Sequence, residues 1–281
     1  MRSECYFCIN KTIERLVIKQ AKTEHDAVGF ISDIHNMLAK NWDKPNPLLA
    51  TYIHRTAKKK LKNSNLYEQE KEQANSILLN KYDYWKSIVE KSTNPLYMAA
   101  KLAVAGNVID YGANSVPEDI EGKIHEMINN GFVIDDSAAL FEKIKNAKSI
   151  LYLGDNAGEV VFDKLFIETM QHKNVTFAVR GTPVINDITL DDAKNVGIDK
   201  VCKVISNGFD APSTLLKYCS AEFLGVYKNA DLIISKGQGN FEGLMDEKHD
   251  SLFFMLMAKC NTMAGMLGVN KGDLVIKKVE Q

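Results

Sequence analysis

Ser149-Ile150-Leu151-Tyr152-Leu153-Gly154-Asp155-Asn156-Ala157-Gly158-Glu159 is a short apolar run, a glycine turn, two oxygen-bearing side chains and a second glycine. A helical pattern from Val160 to His172 begins directly behind it. Strand, turn and helix in that order open a βαβ unit, and the unit recurs downstream. Val175–Val179 reads as the next strand and Thr189–Val196 as its helix, followed by Lys200–Ile205 and Ser213–Tyr218. Leu232–Ser235, Leu252–Ala258 and Leu274–Lys277 complete the series. Strands alternating with helices predict a mostly parallel sheet covered on both faces, a Rossmann-like α/β/α sandwich over residues 146–281.

Upstream the grammar is different. Residues 1–145 read as a helical domain, with helices expected over Cys5–Lys22 and Ala27–Ala39, a break at Trp42–Pro47, and an apolar helix over Leu96–Tyr111. The charged run from Lys58 to Tyr84 mixes Lys58-Lys59-Lys60 with Glu68, Glu70 and Glu72, so it reads as a solvated helix face.

The bulk numbers narrow the function. The 281 residues carry 45% hydrophobic and 25% charged side chains, enough for a full core. A net charge of -1 gives no electrostatic reason to expect nucleic acid or an anionic membrane as partner. No apolar run approaches the ~20 residues that cross a bilayer. Met1-Arg2-Ser3-Glu4-Cys5 lacks the apolar region of a secretory signal. Five cysteines do not make a disulfide framework, so the expected location is the cytoplasm. Nothing in the sequence sets an oligomeric state.

In open α/β sheets ligands bind beyond the carboxyl ends of the strands, so the residues placed there are the candidates. After the first strand, Asp155 and Asn156 offer two oxygen ligands, and the N–H groups of Ala157, Gly158 and Glu159 can hold an anion at a helix start. Either side chain equally suits a helix cap. The second strand ends at Arg180, a candidate substrate contact, and Asp187 follows. Sequential strands tend to be neighbours, which would bring Asp187 to Asp155. Two carboxylates meeting would favour a bound cation. Asp155, Asn156 and Asp187 form a hard oxygen set suited to Mg²⁺ or Mn²⁺, with Co²⁺ and Ni²⁺ as further candidates. Lys236 opens what reads as a second glycine-rich loop, Gly237-Gln238-Gly239-Asn240, where its point charge would suit a phosphoryl oxygen.

These stretches, together with Arg180-Gly181-Thr182-Pro183-Val184-Ile185-Asn186-Asp187, Lys236 to Glu242, Ala105 to Asp110 and Cys5-Tyr6-Phe7-Cys8, resemble the metal-dependent, ARMT-like damage-control phosphatases, in their prokaryotic branch. The likeness runs over nearly the whole chain. It implies a divalent metal on Asp155, Asn156 and Asp187, and phosphatase action on a small phosphorylated metabolite such as a sugar phosphate or a damaged cofactor precursor. It also implies that Lys236 holds the phosphate and that Asn107 and Asn240 line the pocket. Asp155 or Asp187 would orient or deprotonate the attacking water, with direct carboxylate attack as the alternative.

Other readings compete. A glycine turn after the first strand can cradle S-adenosylmethionine, though the closely spaced G-x-G of such sites is missing. A haloacid-dehalogenase scheme wants Asp-x-Asp, and Ala157 stands where the second aspartate belongs. A non-catalytic module that binds phosphate ligands fits the same motifs. Cys5 and Cys8 have no second pair with zinc spacing and read as packing cysteines. Among the six histidines only His249 follows a site motif. Asn107 and Asp110, a helical turn apart, are the candidates by which the helical half would face the pocket.

Overall fold

A computed structural model describes residues 2–21, 23–108 and 119–279. Asp110, and with it the end of the helix expected to reach Tyr111, lies outside the described residues. The helices upstream of the sheet are α1 (Ser3–Gln20), α2 (Glu24–Lys40), α3 (Asn46–Leu61), α4 (Glu68–Leu79), α5 (Tyr82–Lys91), α6 (Pro95–Ala105) and α7 (Ile120–Asn129). Then come β1 (Ile134–Asp135), α8 (Ser137–Asn146), β2 (Ile150–Leu153), α9 (Glu159–Met170), β3 (Val175–Val179), α10 (Leu190–Asn195) and β4 (Lys203–Ser206). The chain continues through α11 (Ala221–Asn229), β5 (Leu232–Lys236), α12 (Gly237–Leu244), β6 (Leu252–Met257), α13 (Asn261–Leu267) and β7 (Leu274–Lys278).

The seven strands lie in the order β1-β7-β6-β5-β2-β3-β4. All neighbours are parallel except β6 and β7. The mixed α/β architecture with a mostly parallel sheet is the one expected. From β2 to β6 the chain winds outward to β4, then returns beside β2 with β5. The strand order therefore reverses between β2 and β5, which sit side by side with Leu153 opposite Ser235. Crevices at such reversals are where doubly wound sheets bind ligands.

Strand side chains alternate between two cores because successive residues point to opposite faces. Tyr152, Phe177, Ile234 and Phe253 join α6 and α9 on one face. Leu151, Ala178, Ile233 and Phe254 join α11, α12 and α13 on the other. The first core crosses residue 146, since Ala99–Ala105 of α6 pack with Val160–Ile167 of α9. A third core belongs to α1, α2 and α3.

Two expectations fail locally. Ser213–Tyr218 forms only a single 3₁₀ turn at Leu216–Tyr218, and the crossover helix is α11, which Ser220 caps by accepting from Phe223 N. Lys58 is not a solvated charge: it is half-buried and donates to the Pro183 carbonyl at 2.8 Å. Among the described residues, no helix is long and apolar enough to cross a membrane.

Candidate active site

The turn after β2 and the loop after β3 are joined by backbone. Asn156 and Asp187 form an isolated antiparallel bridge. Ala157 N donates to Asn186 O at 2.9 Å, and Ile188 N donates to Asp155 O at 3.0 Å. Asp155, Asn156 and Asp187, expected from separate strand ends, are thereby brought together, at 4%, 5% and 2% exposure. The loop pays in strain for this geometry: Ile185 sits at φ 43°, where a β-branched residue is rarely found.

Arg180 stands between the two carboxylates. Its Nε donates to Asp187 Oδ2 at 2.6 Å, and its Nη2 lies 3.5 Å from Asp155 Oδ1. Nη1 donates to Asn240 Oδ1 at 2.9 Å, and the Asn240 amide in turn donates to Gly154 O and Lys236 O. The repulsion between Asp155 and Asp187 is thus met in part by a guanidinium, so it is not by itself an argument for a metal.

Lys236 is fully buried and has three acceptors for its three N–H bonds: Ala103 O at 2.8 Å, Glu159 Oε1 at 2.6 Å and Asp163 Oδ1. Tyr152 also donates to Asp163 Oδ1, and Asn107 Nδ2 donates to Glu159 Oε2 while standing 3.5 Å from Asp155 Oδ2. Burial pushes the Glu159 and Asp163 carboxyls up, and Lys236 offsets this only in part. Burial works against the Lys236 ammonium too, yet the two carboxylates hold it above its ordinary value. One ammonium shared between two acids retains its proton and favours an extra one. The N–H groups expected to hold an anion are partly committed as well, with Ala157 N on Asn186 O and Gly158 N on Asn75 Oδ1.

The stretch after Lys236 is a helix, α12, rather than a loop. Its glycines serve close approach. A Cβ on Gly239 would fall 2.2 Å from the Pro212 carbonyl. Gly237, at φ 78°, has its backbone pressed on Asp155, so that a Cβ there would lie 1.8 Å from Oδ2.

A cavity of about 190 Å³ opens over the three candidate ligands. It is smaller than the ~300–1,000 Å³ of drug-sized sites. Asp155, Asn156 and Asp187 border it, together with Gln238 and Glu242 of α12, Lys259 after β6, and Asn46 and His54 of α3. Lys236, Glu159, Asn107, Arg180 and Asn240 are each no more than 2% exposed and are not among its bordering residues. The helical half does form part of the wall, but through α1 and α3. Cys5 and Cys8 border the cavity as free thiols, Cys8 exposed, which corrects their reading as packing cysteines. His249 instead accepts from Ser251 N at 3.3 Å and meets the Tyr227 ring. The α1 wall is pinned by Glu4, which accepts from Asn261 N, Thr262 N and Thr262 Oγ1 at the start of α13. Glu242 and Lys259 went unread in the sequence. An i,i+4 pairing of Gln238 with Glu242 would have marked α12 as a helix.

The donor chemistry suits a divalent metal. Asp155, Asn156 and Asp187 offer hard oxygens, and among the described residues no three His, Cys, Asp or Glu side chains gather as a richer cluster. Asp155, Glu159, Asp163 and Asp187 are buried beside Arg180 and Lys236. Carboxylates gathered away from water call for compensating charge, from protons, from such side chains or from a bound cation.

A family model described as the damage-control phosphatase ARMT1-like domain matches residues 1–275. A damage-control phosphatase of Archaeoglobus fulgidus is 35% identical over 87% of this chain and 87% of its own length. One of Pyrococcus horikoshii is 44% identical over 63% of each. An uncharacterised protein of Methanocaldococcus jannaschii is 35% identical over 99% of this chain and 95% of its own. The crystal structure of a DUF89 family protein from Pyrococcus horikoshii superposes with a TM-score of 0.89 at 33% identity, covering 100% of this chain and 99% of that one.

Proposed function

The chain belongs to the ARMT1-like damage-control phosphatase family, and on that premise we propose that it hydrolyses the phosphate monoester of a small metabolite with a divalent metal held by Asp155, Asn156 and Asp187. The observation that carries this reading is that Asp155, Asn156 and Asp187, buried and tied together by backbone, border one small cavity. The metal is Mn²⁺ or Mg²⁺, with Co²⁺ or Ni²⁺ as further candidates. When bound, it would supply positive charge where negative charge builds on the phosphoryl oxygens.

The chain's own residues divide the remaining work. Lys259, which borders the cavity, takes a second phosphoryl oxygen as a point charge. Lys236 acts from behind, bridging Glu159 and Asp163 and, through Asn107, steadying Asp155. Arg180 sets the carboxylate of Asp187. Asp155 or Asp187 orients the attacking water and takes its proton. The substrate is a sugar phosphate or a damaged cofactor-precursor phosphate, which fits a cavity of this size, and the cytoplasm is the compartment that goes with it.

Phosphate release from a panel of such esters, with EDTA or with each metal added back, tests the reading. Turnover that requires metal and vanishes in Asp155→Ala and Asp187→Ala is expected. Binding of the esters without turnover under any metal would leave a non-catalytic module.

A further inference from the structure

Glu242 is the cavity's one carboxylate outside the candidate metal ligands among the described residues bordering it. It sits on α12, half-buried, and is held from two sides: Gln238 Nε2 donates to Oε1 at 3.1 Å, and the Asn46 side chain of α3 bonds it as well. Gln238 is itself fixed, because its Oε1 accepts from Lys259 N at 3.0 Å. A carboxyl so oriented, in the same small cavity as Asp155 and Asp187, is positioned for a proton transfer that neither of them makes. We propose that Glu242 is the general acid that protonates the leaving oxygen of the phosphate ester.

The inference rests on the phosphatase reading and adds a role to it. In the step, the bond from phosphorus to the leaving oxygen breaks, and that oxygen keeps the electron pair and takes the Glu242 proton to become an alcohol. Water supplies the new P–O bond and gives up its proton on the Asp155 and Asp187 side. Glu242 then regains a proton from solvent while the aspartate side releases the one it took, so one water is consumed and the charges balance. Burial holds the Glu242 carboxyl above the ordinary range, against the pull of Gln238, Asn46 and Lys259. The other titratable groups bordering its surroundings are Cys5 and Cys8 of α1, His54 of α3, and Lys259 and Cys260 after β6. Burial raises the Cys8 and Cys260 thiols and lowers His54, so these three add no charge near neutral pH.

The test compares the metal-loaded wild type with Glu242→Gln on two esters, glycerol phosphate and 4-nitrophenyl phosphate. The nitrophenolate leaves without a proton, whereas the alkoxide needs one. In the variant, kcat on the alkyl ester is expected to fall by about 10²–10⁴-fold. The aryl ester is expected to lose little, and the basic limb of the alkyl pH profile to disappear. An equal loss on both esters, or no loss on either, overturns the proposal and leaves the phosphatase reading standing. A wild type that turns over neither ester overturns both. Should Glu242→Gln fail to fold, the wild type alone decides: rates nearly independent of leaving-group basicity across a series of esters support the acid, and a steep dependence refutes it.

Discussion

Replacing Arg180 by methionine keeps the volume of the side chain and removes its charge. The guanidinium is buried, donates to Asp187 Oδ2 at 2.6 Å and stands 3.5 Å from Asp155 Oδ1. Taking one partner from a buried ion pair costs about 3–5 kcal/mol, because the other charge stays buried. The lost bond to Asn240 Oδ1 adds about 1 kcal/mol. At roughly 2–4 °C per kcal/mol for a chain of this size, the metal-free variant should melt on the order of 10 °C or more below the wild type. On the proposed reading, a divalent ion then meets two carboxylates no longer engaged by the guanidinium. Each tenfold gain in its affinity adds about 1.4 kcal/mol to the stabilisation at saturation. Arg180→Met should therefore recover much of its loss when Mn²⁺ or Mg²⁺ replaces EDTA, and its metal-induced rise should exceed that of the wild type. Thermal melts of both proteins, with EDTA and through a metal titration, supply the four numbers. A variant that melts with the wild type in EDTA, or rises no further than it with metal, would refute the charge argument.

Three other outcomes follow from particular contacts. Gly237→Ala would put a methyl 1.8 Å from Asp155 Oδ2 at a φ that costs an L residue about 1–2 kcal/mol; a folded protein with phosphate release near background is expected, and normal turnover would show that Asp155 can move freely. Lys259→Met removes the cavity's cation, and since charged hydrogen bonds contribute about 1.5–3 kcal/mol, the inhibition constant of inorganic phosphate should rise by roughly 10- to 150-fold; an unchanged constant places the phosphate elsewhere. His54 donates from Nδ1 to Ala50 O, and burial lowers its pKa from 6.5 to about 4. Because the unfolded chain binds the proton first, the stability tied to a neutral His54 is complete above pH 6.5 and is lost as pH falls toward 4. The loss amounts to about 3 kcal/mol, and His54→Gln should flatten that limb of a urea-denaturation series.

The strands after residue 146 were legible because a fully buried strand writes itself as a continuous apolar run, as in Leu252-Phe-Phe-Met-Leu-Met257, whereas the two-residue β1 in the stretch read as helical was not. The residues after β2 and β3 were legible for the same reason, since strand ends in such a sheet face the crevice. What escaped depends on contacts across the chain. Lys236 reads as a phosphate ligand until Asp163, one turn into α9, turns out to be its partner. Gly237-Gln238-Gly239-Asn240 reads as a loop, and only the nearness of Asp155 and of the Pro212 carbonyl explains why a helix would need those glycines. The cavity wall drawn from α1 and α3 carries no local signature, because nothing near Cys5 or Asn46 in sequence announces the distant Asp155.

Glu4 caps a helix whose first residues lie 257 and 258 positions further along the chain. During synthesis, Asp155, Asn156, Arg180 and Asp187 all leave the ribosome on the order of seconds before Lys259 and α13 exist. A nascent chain at that stage owns every candidate metal ligand and has no wall of residues 238–259 to close around them. Until Thr262 emerges, α1 packs on α2 and α3 but Glu4 lacks its α13 partners, and joining them closes a very long loop, the kind of contact that forms late. The candidate ligands and the wall that closes over them are thus made at different moments in the life of the molecule.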